Sequence, residues 1–255
     1  MPTNEPTIKP LPEGTFQLPI GFTEPNGTVH KTFSLKPMTG RVEEAMSDKK
    51  IRTNMGAIVT ALIHGVIEMD SLGRKFTKLD AKGLKNPDRD FIIYQNYLNS
   101  IGETAEWQEK CPACGEIHNL SVDMSGLEVT YLEDNDPQEF KVTLPHGVED
   151  SEGKLHKELT LSIPDGFAQE LFIKELQENP ARAVSTLMSQ TTENIEGMAS
   201  WNVDHFRDLS KKDRNIVQKA FTQIEAGVNF DVATECPHCS HEYGTQVPIN
   251  QLMGE

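Results

Sequence analysis

The chain has 255 residues, room for two ordinary domains or one large one, and its 39 acidic and 24 basic side chains leave a formal charge of −15. So acidic a chain repels phosphate backbones, because nucleic-acid affinity comes largely from Lys and Arg displacing counterions, and no basic cluster is longer than Lys-Lys. No apolar run approaches the roughly 18–20 residues of a membrane-spanning helix, and four cysteines are too few for a disulfide scaffold. Grouped as two C-x-x-C pairs, they point to a reducing compartment and a metal or redox role. The opening MPTNEPTIKPLPEG has neither the basic nor the apolar region of a secretory signal, so the chain reads as cytosolic.

Residues 1–13 read as an N-terminal tail. A hairpin follows in LPIGFTEPNGTVHK (18–31), its Gly-containing turn leading into the alternating strand TVHKTFSL. A helical stretch opens at Asn54 and spaces Ile58, Leu62 and Val66 for one face. Another opens at Asp88, an N-cap type, and stops at Gly102. Short strands lead into and away from Cys111 and Cys114. The acidic, Pro-containing EDNDPQEF (133–140) reads as a linker, placed at 130–139.

The plan then recurs. LPHGVEDSEGKLHK (144–157) aligns with 18–31 without a gap and with six identities in fourteen positions. LSKKDR (209–214) matches LKNPDR (84–89), and CPHCSHEYGTQVPINQL (236–252) matches CPACGEIHNLSVDMSGL (111–127), where Val122/Val247, Met124/Ile249 and Leu127/Leu252 coincide. The offset is 126 in the first block and 125 in the later ones, so one residue changes between Gly40 and Leu84. In the second copy Phe167, Leu171 and Leu176 fall near one helix face, Asn179 reads as an N-cap before Pro180, Asp213 as another, and Gly227 as a stop. The period is too long for a solenoid. The expected fold is α+β: two homologous lobes, 14–129 and 140–255, each a β-hairpin, helices and a knuckle hairpin, related by pseudo-twofold symmetry.

C-P-x-C followed by Gly or Ser has the shape of a zinc knuckle, in which a tight turn aims amides at the sulfurs. Structural zinc takes about four ligands in a tetrahedron, and one knuckle supplies two. The duplication supplies the others, so Cys111, Cys114, Cys236 and Cys239 are the expected ligands of a structural Zn²⁺ that staples the halves. Three variants stay open: reduced thiols without metal, one metal per knuckle, or His118, His238 or His241 in place of a cysteine. CPHC is also a thiol-oxidase tetrapeptide, but there a helix N-terminus follows it, whereas Gly244 and Pro248 mark turn and strand here. His156-Lys157-Glu158 fits the H-x-E of zinc deaminases, yet Glu235 stands where their Pro precedes the cysteine, and the separation is long. His30 and His156 read as hairpin histidines facing solvent or a partner. Asp88-Arg89 and Asp213-Arg214 read as caps and braces of a helix, and Leu62, Leu187, Phe221 and Ile224 as core. No protease, hydrolase, P-loop or dinucleotide motif is present.

Leu18 to Lys31, Leu35 to Gly40, Asp88 to Phe91 and Cys111 to Gly115 together resemble the baseplate and tail assembly proteins of contractile-tailed phages, of the T-even baseplate hub assembly type. In that family an L-P-x-G hairpin with G-x-x-H-[KR] precedes L-[KR]-P-M-T-G, helices, D-R-D-F and C-P-x-C-G. The second half departs from it, with LSIPDG for LKPMTG and Ser240 for the knuckle Gly, but keeps both thiols. The resemblance implies a non-enzymatic tail protein, found in the host cytoplasm during assembly or in the tail baseplate, whose partners are other tail or baseplate proteins. No membrane is implied. The competing class is a zinc-ribbon module binding nucleic acid or a transcription complex, which the charge disfavours.

Overall fold

The computed structural model of the chain describes residues 12–133, 138–249 and 251–253. Most of the expected N-terminal tail and the middle of the expected linker lie outside them. Within them the fold is mixed α+β, with several small antiparallel sheets and eight α-helices. In chain order the first ten elements are β1 (Thr15–Thr23), β2 (Val29–Leu35), α1 (Gly40–Met46), α2 (Met55–Val66), β3 (Ile67–Glu68), α3 (Lys78–Gly83), α4 (Asn86–Ser100), β4 (Thr104–Lys110), β5 (Ile117–Asp123) and β6 (Val129–Thr130). The rest are β7 (Glu139–Glu149), β8 (Leu155–Ser162), α5 (Gly166–Glu178), α6 (Pro180–Thr191), β9 (Thr192–Ile195), α7 (Val203–Arg207), α8 (Lys211–Phe221), β10 (Gly227–Val228), β11 (Asp231–Glu235) and β12 (Glu242–Gln246). α6, α7 and α8 begin 125 residues after α2, α3 and α4, as β9 does after β3, and β8 begins 126 after β2. The single-residue change therefore falls between Leu35 and Met55.

Each hairpin is bent at its L-P-x-G segment. The β1–β2 register slips between Gln17 and Phe22, and the β7–β8 register between Thr143 and Val148. Pro19 and Pro145 cannot donate to a ladder, and Gly21 and Gly147 adopt φ of +108° and +97°, open to glycine and strained for other residues. A bulge leaves amides without ladder partners. Asp88 takes two of them: its carboxylate accepts from Ile20 N at 2.7 Å and Gly21 N at 3.0 Å. Asp213 accepts from His146 N at 3.3 Å. The capping role expected of these two residues is thus corrected. α4 starts after Lys85 with Pro87 in its first turn, and Ser210 Oγ caps α8 by accepting from Asp213 N. A carboxylate in the first turn of a helix is a cap by local rule, but here the bulge needed it more.

The arginines beside them brace as expected. Arg89, fully buried, donates to Ala81 O, Gly56 O, Thr60 Oγ1 and Gln169 Oε1. Arg214 donates to Phe206 O, Ala181 O and Ser185 Oγ, and each of these lies 125 residues after its counterpart around Arg89.

Asn54 Oδ1 caps α2 by accepting from Ala57 N, and Asn179 Oδ1 caps α6 by accepting from Ala181 N and Arg182 N. Gly102, at φ +145°, ends α4 as expected, its N–H returning to Tyr97 O. Gly227 does not end a helix. α8 stops at Phe221, and Gly227 lies in β10, where a Cβ would sit 3.0 Å from Pro87 Cβ.

Two clusters of buried side chains form the interior. One centres on Leu18, Phe33, Leu62, Ile63, Ile92 and Ile93, and it also takes in Val247, Leu252 and Met253 from the end of the chain. The other holds Leu144, Val148, Leu161, Met188, Phe206 and Val217. Each such side chain removed from water stabilises the fold by about 1.5–3 kcal/mol. Leu62 is core as expected, whereas Leu187, Phe221 and Ile224 are half-buried and Phe167 and Leu176 are exposed. α5 instead contributes polar groups to the seam with α2 and α3. Glu170 pairs with Lys82 Nζ at 2.7 Å and accepts from Thr60 Oγ1 at 2.6 Å, and its backbone carbonyl accepts from Asn54 Nδ2.

Candidate metal centre

Each cysteine pair sits at the tip of a two-stranded ribbon, β4–β5 or β11–β12. The tips share one turn. Cys111 N bonds Glu116 O and Gly115 N bonds Cys111 O, and Cys236 N bonds His241 O and Ser240 N bonds Cys236 O. The turn requires a left-handed residue after the second cysteine: Gly115 has φ +78°, Ser240 φ +55°.

The two tips meet. The Cys111 sulfur is 3.8 Å from that of Cys239, and the Cys114 sulfur 3.7 Å from that of Cys236. All four sulfurs lie within 4.8 Å of one another. Sulfurs placed about 2.3 Å from a central ion at tetrahedral corners are about 3.8 Å apart, whereas a disulfide sets its sulfurs at about 2.05 Å. Cys111 and Cys236 are buried and Cys114 and Cys239 exposed, so the cluster has a protein side and a solvent side.

The backbone prepares the cluster for anionic sulfur. The amides of Cys114 and Ala113 hold the Cys111 thiol down to about 6. The His241 amide also draws Cys239 down, but desolvation by the packed tips and the three neighbouring sulfurs outweigh it and push that thiol up to about 12. Cys114 also moves up, the Glu116 amide and Cys239 being outweighed by desolvation at the packed tips and by the Cys111 and Cys236 sulfurs. Four thiolates this close repel one another, and a central cation is what lets all of them ionise together.

The sequence profile of the family described as T4 bacteriophage base plate protein matches residues 22–252, nearly the whole chain and all four cysteines. The chain belongs to the T4 bacteriophage base plate protein family. No curated protein and no solved structure matches it.

In this base plate protein the histidines considered as substitute ligands lie outside the sulfur cluster. His118 Nε2 bonds Tyr243 Oη at 2.8 Å, across the two ribbons, and His241 stacks on the Tyr243 ring. Thr245 Oγ1 donates to Glu109 Oε2, which also accepts from Trp107 Nε1. Sequence reasoning missed this polar seam. Its signal was the alternation of the ribbons, which puts His118, Tyr243 and Thr245 on inward-facing positions. His30 and His156 are a further correction: both are buried. His30 bonds Glu24 and Ser71, and His156 bonds Asp150 and Glu196 O, so an acid six residues earlier folds each ring under its hairpin turn. Among the described residues no helix is long and apolar enough to cross a membrane.

Proposed function

We propose that this base plate protein is a non-enzymatic structural or assembly component of a contractile tail, stapled by one zinc ion on Cys111, Cys114, Cys236 and Cys239. Its chain divides into a tail (1–13), two repeats (14–129 and 140–255) and a linker (130–139), the repeats being related by a pseudo-twofold axis. The 125-residue correspondence of helix starts and of the Arg89 and Arg214 partners supports the duplication. The observation that carries the staple is the meeting at tetrahedral spacing of two C-x-x-C tips whose paired cysteines are 128 and 122 positions apart in the chain. Four cysteine sulfurs set this close favour zinc, which needs no electronic geometry of its own and closes structural sites with four ligands.

The mechanism is binding. The ion fixes the angle between the repeats, and the hairpins and acidic faces then meet other tail or baseplate proteins in the host cytoplasm during assembly. Mass spectrometry of purified particles, with zinc measured on the isolated protein, tests both halves of the reading. A chain present in particles at fixed stoichiometry is a baseplate component, and one absent from them but needed for tails is an assembly factor. If Cys111→Ser and Cys239→Ser chains still assemble tails at the wild-type level and bind no less zinc, the staple is wrong.

A further inference from the structure

A slot of about 240 Å³ opens where α4 meets the second half of the chain. Its walls are hydrocarbon: Pro87, Ile163, Pro164, Phe221 and Ile224. Its polar groups come from one face of α4, Asn86 and Asp90, spaced i and i+4. Asn86 Oδ1 is buried and has no hydrogen-bond partner. Asp90 is half-buried; among the described residues its carboxylate makes no hydrogen bond or ion pair, and partial desolvation pushes it up to about 6 against the opposing pull of Arg89. That guanidinium is committed elsewhere, to Ala81 O, Gly56 O, Thr60 and Gln169. The slot thus presents two acceptors, and no basic residue lines it.

A buried acceptor such as Asn86 Oδ1, left without a donor, costs about 1–3 kcal/mol. The fold does not need this arrangement, because the second repeat carries Lys211 and Asn215 at the positions of Asn86 and Asp90. The missing donor must arrive from outside. A hard metal ion wants about six to eight oxygens, and the walls offer it hydrocarbon. A lysine side chain suits both parts: its four-carbon stem packs on apolar walls and its ammonium brings three donors and the opposite charge.

We infer that this slot between α4 and the Ile163–Pro164 and Phe221–Ile224 segments receives a lysine side chain of a partner protein, held by Asp90 and Asn86. That the partner is a tail subunit rests on the function proposed above; the slot's preference for an alkylammonium does not.

The test is an NMR titration of the full-length protein at pH 7.5 with n-butylammonium chloride. n-Butanol and magnesium chloride at matched ionic strength serve as controls. The expected result is saturable shifts at Asn86, Asp90 and Val228 with butylammonium alone. Asp90→Asn should weaken the response at least 10-fold and melt at or above the wild-type temperature, since it removes a half-buried carboxylate that has no partner among the described residues. Three outcomes would each overturn the inference. Equal shifts with butanol would make the slot merely apolar. Shifts with magnesium at lower concentration would make it a metal site. A lower melting temperature for Asp90→Asn would mean that the carboxylate already has an internal donor, such as a turned-over Asn86 amide.

Discussion

The Cys111 sulfur lies 3.8 Å from the Cys239 sulfur, 128 positions further along the chain. A cross-link closing so long a loop constrains the unfolded chain strongly, and a structural zinc adds its own binding energy to folding. The isolated protein should carry one equivalent of zinc by elemental analysis. Cys111→Ser and Cys239→Ser should each lose it and at least about 3 kcal/mol of stability, or about 6–12 °C in melting temperature for a chain of this size. A shared ion makes a further demand. Either mutation should speed amide exchange in both ribbons, β4–β5 and β11–β12. Loosening confined to the mutated ribbon would mean that each knuckle acts alone.

Arg89 is fully enclosed, whereas Arg214, with equivalents of three of its four partners, is part-exposed. Arg89 serves two backbone carbonyls, a hydroxyl and a side-chain amide with one planar fork. A lysine cannot reach them together, and the acceptors it abandons are sealed from water. Arg89→Lys should therefore cost about 3–5 kcal/mol, and Arg214→Lys about 1–2 kcal/mol, because water can replace part of what Arg214 loses. Urea denaturation of the two variants side by side checks the ranking. Gly166→Ala should resemble Arg89→Lys, since its Cβ would stand 2.4 Å from Arg89 Nη1.

The two knuckles were legible in the sequence because their chemistry is local. C-P-x-C fixes the turn, and the sequence carries a second pair in the same register. The hairpins, α2, and the Asn54 and Asn179 caps were readable for the same reason. What stayed hidden is tertiary. Asp88 looks like a cap until the bulge 67 and 68 residues upstream claims its oxygens. His30 and His156 occupy polar positions of alternating strands, and only the acids across the turn, Glu24 and Asp150, explain their burial. Nor does any local pattern say that Val247, Leu252 and Met253 pack with the core built around Leu62.

Ser240 holds the left-handed conformation that Gly115 holds in the matching turn. An L-residue there suffers contact between its Cβ and the neighbouring carbonyl, at a cost of about 1–2 kcal/mol. Ser240→Gly should recover about 1 kcal/mol, less than the full strain because glycine also frees the unfolded chain. Gly115→Ser should lose a similar amount. Calorimetry on the zinc-loaded protein measures both, and stabilisation by Gly115→Ser would show that the turn does not govern the knuckle.

The His156–Asp150 pair makes stability depend on pH in a defined window. The Asp150 carboxylate, 2.8 Å from His156 Nε2, raises the imidazole above its ordinary 6.5, with help from Glu196 O. In return His156, followed by the amides of Lys154 and Glu152, holds Asp150 down to about 2 from 3.8. The histidine's contribution is complete below pH 6.5 and is lost as pH rises through its folded value. The aspartate's contribution is complete above pH 3.8 and is lost as pH falls toward 2. The pair therefore stabilises most between about pH 4 and 6.5. Asp150→Asn should lower the melting temperature most near pH 5, and the gap from wild type should narrow steadily toward pH 9. Melting curves of both proteins across that range check the sign, and a gap that widens with pH would mean the ring is bound neutral.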